Sequence, residues 1–141
     1  MTTQGQFCPP TPLHRCIEFL AFPCYNALKH IGGDLLHIIA VDDEQLALGL
    51  LVRSIQEACP AAQIREFQSG YEALQFLESN RCDVAFLDIH MRGIDGLTLA
   101  KRIKELRPQC NLIFVTGYSE YTGDALSMHA SGYIIKASFS G

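Results

Sequence analysis

From Leu36 onward, short apolar runs alternate with segments of helical periodicity. The runs are Leu36–Val41, Gln63–Phe67, Asp83–Asp88, Asn111–Thr116 and Gly132–Lys136, and between them lie Gln45–Ala58, Tyr71–Ser79, Leu97–Leu106 and Tyr121–His129. HIIAV, DVAFLD, LIFVT and YIIK are nearly unbroken in hydrophobic residues, as expected of parallel strands covered on both faces. The alternation predicts an α/β fold, a doubly wound open sheet of five parallel strands. Local chemistry marks the breaks: Pro60 after the first helix, Ser69-Gly70 before the second, Gly93 and Gly96 before the third, and Pro108 after it.

Both ends depart from the alternation. The last strand is followed only by Ala137–Gly141, too short for the helix that should come next, so one face of the sheet is expected to be partly bare. Residues 1–35 have no place in the repeat and are expected to form an N-terminal extension, read either as one short amphipathic helix or as disordered. Thr11-Pro12 has the chemistry of an N-cap and first helical residue, and Leu13, Cys16, Ile17 and Leu20 follow at i, i+3, i+4, i+7 until Pro23 interrupts. The chain therefore divides into 1–35 and a domain at 36–141 that lacks its final helix.

Composition narrows the function classes. The chain has 141 residues, 48% of them hydrophobic and 18% charged, which is ordinary usage for one globular domain. A formal net charge of −4 with no block of Lys or Arg argues against direct nucleic-acid binding. No apolar stretch approaches the ~20 residues of a membrane span, and no leader pattern opens the chain, so a cytoplasmic protein is expected. The six cysteines, Cys8, Cys16, Cys24, Cys59, Cys82 and Cys110, are read as free thiols. Cys8, His14, Cys16, Cys24 and His30 fit no paired-ligand spacing for zinc.

The strand ends carry the chemistry. In an open α/β sheet, ligands collect outside the carboxyl ends of the strands, where strand order reverses. Asp42 and Asp43 end the first run, Asp88 the third, Thr116 the fourth and Lys136 the fifth. Three converging carboxylates repel one another unless a cation compensates, and Mg²⁺, which takes oxygen ligands and often binds one or two carboxylates with phosphoryl oxygens, suits the set. Each piece has a plainer reading alone: acids that open a helix, a turn aspartate, a β-prone threonine, an edge lysine. Their joint placement favours a site.

VDDE at 41–44, FLDIHMRGIDG at 86–96, FVTGYS at 114–119 and GYIIK at 132–136 resemble the receiver domain of two-component response regulators over residues 36–136. AVDDEQLAL, FVTGYSEY and HASGYIIK are nearest in wording to receivers of LytTR-type regulators, whose DNA-binding domain would follow the receiver. The resemblance implies a flavodoxin-like fold with strand order 2-1-3-4-5. It implies that Asp88 accepts a phosphoryl group from a sensor histidine kinase. Asp43 and Asp88 would ligate Mg²⁺, with Asp42 acting through water and His90 through its backbone carbonyl. Lys136, the Thr116 hydroxyl and the Gly117 amide would bind the phosphoryl oxygens. Thr116 and Tyr133 would form the switch that remodels the face built from 121–129 and 132–136, a face that would also serve a homodimer. Such a protein is a phospho-acceptor rather than an enzyme, with at most self-catalysed phosphotransfer and autodephosphorylation. The alternatives are a truncated receiver-like interaction module that is not phosphorylated, and a Mg²⁺-dependent phosphohydrolase, for which no general acid beside Asp88 is evident.

Two positions depart from the family pattern. Ala137 replaces the proline after the lysine; a cis bond there would cost ~3–4 kcal/mol without proline, so a trans peptide and a displaced Lys136 are expected. Arg92 replaces the proline four residues past the acceptor, which is expected to loosen the loop and add a charge near the site.

Overall fold

A computed structural model describes residues 6–7, 36–117, 130 and 132–135. In chain order the elements are β1 (Gln6–Phe7), β2 (His37–Val41), α1 (Gln45–Ala58), β3 (Gln63–Phe67), α2 (Gly70–Leu77), β4 (Val84–Leu87), α3 (Gly96–Leu106), β5 (Asn111–Thr116) and β6 (Gly132–Ile135). They form one parallel sheet in the order β1-β6-β5-β4-β2-β3. Strands β2 to β6 reproduce the expected 2-1-3-4-5 arrangement. β1 is an addition: it makes the sheet six-stranded by pairing Gln6 with Gly132 and Phe7 with Tyr133 at the β6 edge.

Successive strand residues point to opposite faces, and both faces are buried, which is why the strands read as continuous apolar runs. On one face Ile38, Ala40, Val84, Phe86, Ile113, Val115 and Ile134 form a core with Leu48, Leu51 and Ile55 of α1. On the other, Ile39, Val41, Ala85, Leu87, Leu112, Phe114 and Tyr133 pack with Ala73 and Leu77 of α2 and Leu99, Ala100 and Ile103 of α3. Truncating a fully buried side chain such as Phe86 would cost on the order of 3–5 kcal/mol.

Helix ends follow local chemistry. Asp95 caps α3 by accepting the Thr98 amide at 2.8 Å. α2 ends at Leu77, before the expected Ser79, because the Glu78 and Ser79 amides bond the Gln75 and Phe76 carbonyls in tighter i+3 turns. The Asp83 and Asp88 amides still bond His37 and Val41 carbonyls, so β4 continues in hydrogen bonding beyond its formal ends. Cys59, Cys82 and Cys110 are buried free thiols. No helix follows β6 among the described residues. The expected helix at Tyr121–His129, the stretch Thr11–Phe22, and Lys136 with Ala137 lie outside them.

Candidate functional site

Strand register assembles the acidic residues. Val41 pairs with Leu87 on adjacent parallel strands, so the next residue of each, Asp42 and Asp88, must emerge side by side at the carboxyl edge, about 4.8 Å apart. The Asp42 amide bonds the Phe67 carbonyl at 3.1 Å and the Asp88 amide the Val41 carbonyl at 3.0 Å, which ties both backbones into the sheet. Asp43 opens the turn into α1. Carboxylate oxygens of Asp42, Asp43 and Asp88 all lie within 4.8 Å of one another.

Asp42 and Asp88 are buried, while Asp43 is partly exposed. Ionised carboxylates at that separation repel by roughly 3 kcal/mol per pair at an effective dielectric of 20. The nearby cation that the structure pairs with Asp43 is Arg92, whose Nε stands 3.4 Å from Oδ2, but its side chain is 91% exposed, so solvent screens it. Three hard oxygen donors around a shared point, two of them shielded from water, fit a hard divalent cation such as Mg²⁺.

Arg92 does more than add charge. Its backbone N–H donates to Asp43 Oδ2 at 2.9 Å, a bond that proline could not make. The exchange of proline for arginine, expected to loosen the loop, instead ties it to an acidic side chain of the site. On the other side, Asp42 Oδ1 accepts the Glu44 amide at 2.9 Å.

Two glycines shape the loop after Asp88. Gly93 has φ +80, which favours glycine. At Gly96, the first residue of α3, a Cβ would stand 2.0 Å from the Asp88 carbonyl oxygen. This close approach seats α3 directly on the backbone of Asp88, and the pattern of breaks alone gave it only as a helix boundary.

Thr116 ends β5, next to β4, and is fully buried with no hydrogen-bond partner for its Oγ1. An unpaired buried hydroxyl costs about 1–3 kcal/mol, which a ligand oxygen at the site would recover. Gly117 follows and is exposed. Tyr133 is buried, with its ring centroid 6.3 Å from that of Phe114. His90 is exposed on the loop past Asp88. Lys136 directly follows Ile135 and is outside the described residues. Sequence reasoning missed an apolar feature beside the site: Leu46 and Leu50, one turn apart on α1, are 86% and 51% exposed. Their spacing in a helical pattern gave no sign that they face solvent.

Residues 38–139 match the response regulator receiver domain. The chain belongs to that family. Transcriptional regulatory protein YpdB of Escherichia coli K12 is 34% identical over 101 residues, covering 72% of this chain and 41% of that protein. Sensory transduction protein LytT of Enterococcus faecalis is 32% identical over the same length, covering 72% and 42%. These relatives agree with the LytTR-type wording of the motifs, and the chain spans about two-fifths of their length. Among solved structures, the response regulator TrrA of Thermotoga maritima, in complex with Mg²⁺–BeF, is 35% identical with a TM-score of 0.65, covering 72% of this chain and 87% of that one. The response regulatory domain of MrkE from Klebsiella pneumoniae is 32% identical with a TM-score of 0.63, covering 72% and 83%. The receiver fold and the two-component family are thereby established for this chain. Among the described residues no helix is long and apolar enough to cross a membrane.

Proposed function

We propose that this receiver accepts a phosphoryl group on Asp88 from the phosphohistidine of a sensor histidine kinase in the cytoplasm. The observation that carries the reading is the cluster of Asp42, Asp43 and Asp88 carboxylates within 4.8 Å at the strand ends. Asp43 and Asp88 would hold Mg²⁺ directly, Asp42 through water and His90 through its carbonyl. The bound cation would supply the positive charge that offsets the carboxylates and the incoming phosphoryl oxygens.

Asp88 acts as the nucleophile. A carboxylate oxygen attacks phosphorus, the new O–P bond forms as the N–P bond of the phosphohistidine breaks, and the electron pair leaves with the imidazole nitrogen. The close seat of the Asp88 backbone on Gly96, together with the burial of Asp88, would limit the orientations its carboxylate can take toward phosphorus. The Thr116 hydroxyl, unpaired at rest, would then donate to a phosphoryl oxygen beside the Gly117 amide and Lys136. The gain of that hydrogen bond would bias β5 and the neighbouring Tyr133 toward a second arrangement, so one local charge change becomes an altered surface at 121–136. A homodimer through that surface is one form the output could take. The exposed Leu46 and Leu50 offer the phosphodonor protein an apolar foothold beside the acidic cluster.

Beryllofluoride with Mg²⁺ mimics a bound phosphoryl group and tests the arrangement without a kinase. Amide NMR shifts should spread from Asp88 through Thr116 to Tyr133 on addition. Shifts confined to the exposed acidic loop would contradict the switch.

A further inference from the structure

The added strand β1 sets a topological problem whose solution points to an interaction within the chain. β1 is the outermost strand, parallel to β6, while β2 begins at His37 with β6, β5 and β4 between them. Two parallel strands of one sheet need a crossover, so the chain must leave the carboxyl edge after Phe7 and return to the amino edge before His37. Such crossovers are right-handed in about 98% of cases.

The described helices calibrate which face that implies. α1 joins β2 to β3, stepping along the sheet in the same direction as the step from β1 to β2, and it packs on the face of Ile38, Phe86 and Ile134. α2 and α3 join strands in the reverse direction and pack on the opposite face. A right-handed path from β1 to β2 therefore lies on the α1 face.

Burial gives the second observation. On the α1 face Ile113, Val115 and Ile134 are only 0%, 2% and 1% exposed. α1 packs chiefly on β2 and β3, whereas β5 and β6 stand two and three strands from β2, about 10 and 14 Å away. A helix about 10 Å across cannot cover both pairs. By the same handedness rule the β5-to-β6 connection, which steps in the reverse direction, would fall on the other face, where Ala130 is buried.

We propose that residues 8–35 of the same chain cover β5 and β6 on the α1 face, with the apolar stripe of Leu13, Cys16, Ile17 and Leu20 against Ile113, Val115 and Ile134. A helix over Thr11–Phe22 would be about 18 Å long, close to the roughly 17 Å of a five-residue strand. The segment enters through β1, whose Phe7 is paired in the sheet with Tyr133. The inference stands independently of phosphorylation at Asp88.

Methyl-labelled NMR on the whole chain tests it. Nuclear Overhauser contacts are expected from Ile113, Val115 or Ile134 to Leu13, Ile17 or Leu20 within one chain. Contacts that appear only between differently labelled chains would overturn the proposal in favour of a second copy as the occupant. Absence of any contact, together with fast amide exchange throughout Thr11–Phe22, would overturn it outright. In the intact chain, Ile17→Asp should strip exchange protection from β5 and β6 while β2 and β3, under α1, retain theirs; equal loss across all four strands would count against a local cover.

Discussion

Replacing Gly96 with alanine puts a methyl group where the backbone of Asp88 already stands. Its Cβ would lie 2.0 Å from the Asp88 carbonyl oxygen, 2.8 Å from the Asp88 carbonyl carbon and 2.7 Å from Ile89 Cα. Real Cβ atoms essentially never come within 3.0 Å of such neighbours, so relief needs a shift of about 1 Å. Neither side yields easily. The Asp88 amide is bonded to Val41 at 3.0 Å, and the Gly96 amide to the Ile89 carbonyl at 2.8 Å. Overpacking against fixed backbone typically costs about 1–3 kcal/mol, and the upper half of that range is expected here. The same shift moves the Asp88 carboxylate out of its cluster, so Mg²⁺ affinity should fall in parallel. Urea unfolding followed by circular dichroism, with an unchanged slope, reads the first effect, and a Mg²⁺ titration by amide NMR reads the second. Gly49→Ala is the control: it lies exposed on α1 with nothing near its Cβ, and should gain roughly 0.5–1 kcal/mol from helix propensity. A Gly96→Ala protein within about 0.5 kcal/mol of wild type, binding Mg²⁺ equally well, would refute the reasoning.

Further predictions concern buried polar atoms. Thr116→Val removes an unpartnered buried hydroxyl at nearly constant volume, so the resting protein should gain about 1 kcal/mol in urea unfolding; a loss of stability would mean the hydroxyl is paired. The same variant should show no spread of NMR shifts to Tyr133 on beryllofluoride binding. The Cys110 thiol is held above its ordinary range, first by its hydrogen bond with Cys82, whose Sγ is 3.3 Å away, and second by burial. The folded state thus keeps a proton that the unfolded chain releases near about pH 8.5, so the stabilising contribution is whole below that pH and is lost as pH rises beyond it. Under reducing conditions the stability difference between wild type and Cys110→Ala should shrink between neutral and alkaline pH; a difference that grows would contradict the sign.

Much of the sheet was legible because its strands are buried on both faces. HIIAV, VAFL and NLIFVT have no polar face to blur the pattern, and Gln45–Ala58, Gln63–Phe67 and Asn111–Thr116 coincide with the expected spans. The site was legible for a related reason: a polar residue directly after an apolar run sits at a strand's carboxyl end, as Asp42, Asp88 and Thr116 do. β1 was not legible, since Gln6–Phe7 is a single polar-apolar pair whose strand character comes from the free edge of β6. Three properties depend on tertiary contact and leave no one-dimensional trace: the lack of a partner for Thr116, the seating of Gly96 on Asp88, and the exposure of Leu46 and Leu50. Arg92 was recognised as a charge near the site, but the bond from its amide to Asp43 follows only from the path of the loop.

The measurement closest to the central claim is phosphodonor labelling. The intact chain is incubated with acetyl phosphate, with and without Mg²⁺, and examined by mass spectrometry. One phosphoryl group should appear, only with Mg²⁺, on the peptide that contains Asp88, and it should vanish in Asp88→Asn. Labelling that persists in Asp88→Asn, or fails in the wild type with Mg²⁺ present, would contradict the assignment of Asp88 as the acceptor.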